Sequence, residues 1–229
     1  MRYDRQIAMP EIGEEGQQKI VSARVLIVGV GGLGSPVALY LAAAGVGTIG
    51  LIDDDCVSET NLQRQILYDE TQIGQRKVLC AKQRLASLNS NITIQTHDDF
   101  LTKENAEQII KQYDIVVDAC DNFATRFLIS DTCKSLRKPM IYGSIGSLEG
   151  QVAVFSHQTA VSYRTLFPDE KQLSETTQNA SPVIGVTPAV VGSIQANEVL
   201  KLICAYGESL TDKLLTIDLR DYSVFIMNL

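Results

Sequence analysis

The sequence predicts an α/β fold built on a doubly wound, mostly parallel sheet with an antiparallel extension at the C-terminal end. Three observations predict it. Short, continuous apolar runs (RVLIVG, TIGLID, DIVVDA) alternate with segments whose apolar residues recur every three to four positions. A glycine-rich turn joins the first run to the first such segment. The last third abandons the alternation and ends in two neighbouring apolar runs.

The elements follow in order. A polar arm carries Arg2, Asp4 and Arg5 ahead of Pro10, and a short helix over Glu14–Val21 comes next. Arg24–Gly29 is apolar almost throughout, as a parallel strand covered on both faces must be. Ser35-Pro36 opens a helix, because proline suits the first turn, where its missing N–H has no bond to lose. That helix runs through VALYLAAA to a glycine cap at Gly45. Thr48–Asp53 is the second strand and completes a βαβ unit with a right-handed crossover. Over Gln75–Asn89, Val78, Ala81, Leu85 and Leu88 share one helical face. Strands at Asn91–Thr96, Asp114–Ala119 and Pro139–Ser144 then alternate with helices at Lys103–Gln112 and Phe123–Leu136.

Beyond them, Gln151–Phe155 and Ser162–Leu166 read as short strands. Pro168–Pro182 is polar and reads as a long mobile loop, a kind that is often functional. A helix with Pro188 in its first turn runs to about Tyr206, and Leu214–Asp218 pairs with Tyr222–Met227. No linker is visible, so residues 1–229 read as one domain.

Composition narrows the function. Twenty basic residues stand against 27 acidic ones, so no basic surplus exists to displace counterions from a nucleic acid. The apolar stretch Val37–Val46 is far short of the ~20 residues a membrane span needs. The N-terminal segment lacks a secretion-signal layout, which points to the cytoplasm. Five scattered cysteines (Cys56, Cys80, Cys120, Cys133, Cys204) form no CxxC pair and read as buried thiols in a reducing compartment.

The turn Gly29-Val30-Gly31-Gly32-Leu33-Gly34 matches GxGxxG between a strand and a helix, the Rossmann-like nucleotide fingerprint. The first glycine permits the turn, the second lets backbone N–H groups approach phosphates, and the third lets helix and strand close up. Asp53 ends the second strand, where a carboxylate can reach a ribose hydroxyl. The turn alone serves NAD as well as ATP. The segment after Asp53 adds Asn61 and the cations Arg64, Arg76 and Lys77, charges of the kind a departing pyrophosphate needs. Each of these could equally be a solvated surface charge. Asp121, after the strand ending at Ala119, is placed to hold Mg²⁺ or to cap the helix starting near Phe123.

Taken together, RYDRQI, VLIVGVGGLGSP, AAAGVGTIGLIDDDCVSETNLQRQ, GQRK, DACDNFATR and GSIQANEVLK resemble the ThiF/MoeB/HesA family, bacterial relatives of ubiquitin-activating enzymes. The resemblance implies an enzyme that uses Mg-ATP to adenylate the C-terminal glycine of a ubiquitin-like sulfur carrier ending in Gly-Gly. It implies a nucleotide-binding part over 1–150 and a carrier-binding part over 151–229, with a crossover loop at about 168–182. Carried over by residue, Gly29, Gly31, Gly32 and Gly34 form the phosphate turn, Asp53 meets the ribose, and Asn61, Arg64 and Lys77 serve the triphosphate. Asp121 matches the magnesium-associated aspartate. Arg5 matches an arginine lent by the other subunit of a homodimer. A ThiS-like carrier of thiamine thiazole synthesis is the leading partner, and a MoaD-like carrier of molybdopterin synthesis is the alternative.

Two departures qualify the resemblance. Ser162 and Thr165 occupy the first CxxC pair of zinc-binding members, and the second pair would fall beyond Met227, so no zinc site is expected. The sulfur-transfer cysteine of some members falls on Gln178 or a neighbour, and residues 159–188 contain no cysteine, so the chemistry is expected to stop at the adenylate. An NAD-dependent oxidoreductase, a tRNA-modifying relative and a non-catalytic scaffold are weaker readings. His97, in a strand, and His157, in a turn, make no case for a catalytic histidine.

Overall fold

The computed structural model describes residues 1–159, 161–171, 173 and 182–229. Among them, eight strands form one sheet in the order β3-β2-β1-β4-β5-β6-β7-β8. The parallel part comprises β1 (Arg24–Val28), β2 (Thr48–Ile52), β3 (Thr93–His97), β4 (Ile115–Asp118) and β5 (Met140–Gly146). The antiparallel part adds β6 (Glu149–Phe155), β7 (Lys213–Asp218) and β8 (Ser223–Asn228). The predicted architecture is therefore the observed one.

Alternation along β1 shows why its sequence is apolar on both sides. Val25 and Ile27 belong to one core cluster, with Val37 and Leu41 of α3 (Gly34–Ala44) and Val191 of α8 (Val186–Cys204). Leu26 and Val28 belong to the opposite cluster, with Ile110 of α5 (Ala106–Ile110) and Phe127 of α6 (Phe123–Leu136). Each fully buried Val, Leu or Ile contributes about 1.5–3 kcal/mol, so the middle of the sheet is the stable part of the molecule.

At the start, α1 (Asp4–Ile7) precedes α2 (Gly13–Ser22). The arm is fastened to the C-terminal end of α3. Gln6 and Gln17 both donate to the Ala44 carbonyl, and Asn89, just after α4 (Lys77–Leu88), donates to both the Tyr3 hydroxyl and the Ala42 carbonyl.

Several expectations need correction. Ser162–Leu166 is not a strand. Tyr163–Leu166 is a helical turn, α7, opened by a capping box in which the Ser162 amide donates to Thr165 Oγ1 at 3.1 Å. The helix expected over 103–112 shrinks to α5, because Asn105 Oδ1 accepts the Thr102 amide and holds the chain in a turn first. Cys56 is exposed rather than buried, while Cys80, Cys120, Cys133 and Cys204 are buried and free. Most of the predicted loop at 168–182, Gln178 included, lies outside the described residues. Among the described residues no helix is long and apolar enough to cross a membrane.

Candidate active site

A cleft of about 690 Å³ opens at the C-terminal ends of β1, β2 and β4, where strand order reverses and ligands of such sheets sit. Its floor is the glycine turn. Gly29 has a φ of +89°, and a Cβ there would stand 2.7 Å from the Ala119 carbonyl oxygen. A Cβ on Gly34 would stand 2.1 Å from the Gly29 carbonyl, so Gly34 serves helix–strand packing and does not line the cleft. Gly31 and Gly32 do line it, and added methyl groups there would project only to ordinary contact with Gln65, Pro188 and Arg64. That leaves open backbone where a phosphate chain fits.

Asp53 braces the turn. One carboxylate oxygen accepts the Val30 amide at 2.7 Å and the other the Asp55 amide at 2.9 Å. Burial pushes its carboxyl above the ordinary value, although the Lys77 charge and both amides pull the other way. Tyr68 donates to the Val30 carbonyl at 2.7 Å from behind.

The two cations reach the same cleft by different routes. Lys77 is the first residue of α4, where a positive charge opposes the helix dipole. Its ammonium is compensated by Asp55 at 2.7 Å, and the residue is only 4% exposed. Arg64 follows a short 3-10 turn over Glu59–Asn61 and donates to the Thr60 carbonyl at 3.0 Å. It has no carboxylate partner among the described residues. Asn61 is not among the lining residues. Its side-chain oxygen accepts the Ser58 amide at 3.2 Å, and its carbonyl accepts the amides of Arg64 and Gln65, so it folds the turn that delivers both.

Asp121 lies in the opposite wall and is exposed. The helix cap expected of it belongs to its neighbour, since Asn122 Oδ1 accepts the Thr125 amide at 2.9 Å. The Asp121 carboxylate is thus spared from capping. Arg5 is exposed and does not line this cleft. The structure gives Ser162 and Thr165, at the zinc-ligand positions, to the α7 cap. Among the described residues, one set of three close metal-ligating side chains occurs, Asp53, Asp54 and Asp55, at the cleft's edge.

Sequence reasoning missed several lining residues. Gln65 and Thr125 are both buried, and each leaves one side-chain oxygen unpaired. Ile52, Phe100, Leu101 and Phe123 give the cleft an apolar side. Gln65 and Thr125 were visible in NLQRQ and DACDNFATR, but neither carries a charge to single it out. A second cavity of about 480 Å³ runs over β5, β6, β7 and β8, bounded by Gly146, Gly150 and Phe225. It shares the lining residues Ser144 and Ile145 with the first.

The ThiF family profile matches residues 3–229. The chain belongs to the ThiF family. It is 48% identical over 219 residues to the adenylyltransferase and sulfurtransferase MOCS3 of Culex quinquefasciatus, covering 95% of this chain and 50% of that one. It is 44% identical over 228 residues to the sulfur carrier protein adenylyltransferase of Thermus thermophilus, covering 97% and 84%. The chain thus spans about half the length of the MOCS3 relative and most of the Thermus relative. The crystal structure of E. coli MccB with ATP superposes with a TM-score of 0.86 at 25% identity, covering 100% of this chain and 70% of that one.

Proposed function

We propose that this chain adenylates the C-terminal glycine carboxylate of a small ubiquitin-like sulfur carrier, with ATP as co-substrate and pyrophosphate as product. The observation that carries this reading is the meeting of Arg64, Lys77 and Asp121 around an open glycine turn. A carboxylate oxygen of the tail attacks the α-phosphorus, a P–O–C(acyl) bond forms, and the bond to the β-phosphate breaks. Charge then grows on the departing pyrophosphate, where Arg64 and Lys77 stabilise it. Lys77 exchanges its Asp55 contact for phosphate. Asn61 acts through the turn that places Arg64. Asp53 retains a second acceptor site on each oxygen beside the amides it holds, which suits ribose hydroxyls. The apolar side suits the base. Asp121 would hold Mg²⁺, which when bound neutralises triphosphate charge.

The second cavity suits the tail. Gly146 leaves open space at its floor, with nothing within 4 Å of where a Cβ would stand, and the cavity leads from the apolar strand β8 to the shared residues Ser144 and Ile145. The carrier's body docks on β8, where Phe225 is 69% and Ile226 59% exposed, making 151–229 the carrier-binding part. Arg5 completes the site of the other subunit in a homodimer. The free cysteines suit a cytoplasmic enzyme whose sulfur arrives from elsewhere. A ThiS-like carrier of thiamine synthesis is the partner we favour.

Purified ThiS-like and MoaD-like carriers ending in Gly-Gly, each incubated with the chain and Mg-ATP, test this by intact-mass spectrometry. An AMP adduct on a carrier is expected, and which carrier is modified decides the pathway. No adduct on either, with ATP bound, overturns the reading.

A further inference from the structure

Residues 119–122 and the pair Ser144 and Ile145 both line the cleft, and a buried side chain ties the two segments together. Strands β4 and β5 pair through Val116–Met140 and Val117–Ile141. Two side chains bridge the strands beyond those pairs. From α8, Gln195 Nε2 donates to the carbonyls of Asp118 at 2.7 Å and Ile141 at 3.2 Å. From α6, Arg126 donates from Nε to Asp118 Oδ2 at 2.8 Å and from Nη2 to the carbonyls of Cys120 at 3.0 Å and Gly143 at 3.2 Å. Its guanidinium carbon lies 5.1 Å from the Tyr142 ring centroid. Asp118 is fully buried, and its other oxygen accepts the Cys120 amide and thiol.

A planar guanidinium presents donors in a rigid fork, so three acceptors on two segments can be held at a fixed spacing by one side chain. Those acceptors sit next to the chemistry. Asp121 directly follows Cys120, and Ser144 directly follows Gly143. Arg126 is only 5% exposed and has no role in the reaction as written above.

We propose that Arg126 is a positioning residue for adenylation. By holding the Cys120 and Gly143 carbonyls together, it fixes Asp121 relative to the point where the carrier tail enters the nucleotide cleft. This rests on the adenylation reading, and its test separates the two.

Arg126→Lys keeps the charge beside Asp118 but loses the fork. Calorimetry with ATP alone and with Mg-ATP reads the wall without needing a carrier. ATP alone should bind as it does to wild type, while the gain in affinity from Mg²⁺ shrinks several-fold. In carrier-dependent ATP–pyrophosphate exchange, kcat should fall about tenfold or more, beyond the several-fold rise in KM for Mg-ATP that the weaker magnesium response brings, as expected when reacting groups are misplaced rather than lost. A folded Arg126→Lys protein with the wild-type magnesium response and kcat overturns the proposal. If that variant does not fold, Asp118→Asn loosens the same anchor, and a wild-type magnesium response in it has the same force. Wild-type protein that binds Mg-ATP but gives no exchange with either carrier sinks the adenylation reading, and the magnesium comparison still decides the role of Arg126.

Discussion

The two ends of the sheet obey different rules. In β1, Val25, Leu26 and Ile27 are fully buried, and helices cover both faces. In β8, Val224, Phe225, Ile226 and Met227 are all exposed, although they alternate between the two faces of the sheet. One strand is apolar because its own chain surrounds it. The other is equally apolar but stays exposed, and among the described residues no further strand pairs with its outer edge. Exposed apolar surface of that kind is what the proposed docking of the carrier on β8 would cover. On the proposed reading, the parallel half holds the reactive groups and the antiparallel half offers the contact surface.

Variants at either end sharpen or break this division. The largest effect is expected at the parallel end. Arg64→Ala or Lys77→Ala should lower carrier-dependent ATP–pyrophosphate exchange by about 10²–10³-fold, the scale of losing one preorganised charge-stabilising group. Near-normal exchange in either variant would remove that residue from the mechanism. At the antiparallel end, Phe225→Asp should raise the KM for carrier about 10–100-fold, in line with the burial of one aromatic side chain, and leave the KM for ATP alone. A change in both constants would show that the two halves are not separable. A smaller effect, about tenfold in the Mg²⁺ needed for half-maximal exchange, is expected for Asp121→Asn, which loses a charge but keeps the shape. An unaltered magnesium curve would dismiss that ligand.

The smallest effect concerns stability. His97 ends β3, bonds to the Tyr113 hydroxyl at 2.9 Å, and has its pKa lowered from 6.5 by burial. The unfolded chain therefore binds this proton at a pH where the folded one does not, so stability increases with pH across that window. The contribution is complete above 6.5 and is lost as pH falls through the depressed folded value. Melting temperatures from pH 8 to pH 5 should drop more steeply for wild type than for His97→Gln. Parallel curves would mean that the imidazole titrates alike in both states.

What was legible in the sequence follows the same division. Strands buried on both faces announce themselves as unbroken apolar runs, and β1, β2 and β4 fall within a residue or two of expectation. The glycine turn, Asp53, Arg64 and Lys77 could be found because charge and spacing set them apart. Ser162–Leu166 was misread because its fate depends on one side-chain cap, which competes locally with extended structure. The cap of α6 was assigned to Asp121 and falls on Asn122, since both residue types cap well and stand side by side. Arg126 was passed over for a different reason. Its importance lies in one guanidinium joining two segments, Asp118–Cys120 and Gly143, a link made by the fold that no local pattern encodes.

The fastening of the N-terminal arm has one more consequence. α3 begins at the glycine turn and runs eleven residues, about 16 Å, before reaching the end that holds Tyr3 and Gln6. Arg5 is thereby tethered a helix length from the glycine turn of its own cleft, and the proposed loan to a neighbouring subunit makes turnover answer to dilution. Mixing an Arg5→Ala preparation with a Lys77→Ala preparation should then restore activity that neither has by itself, because one of the two clefts in each hybrid regains a full set of cations.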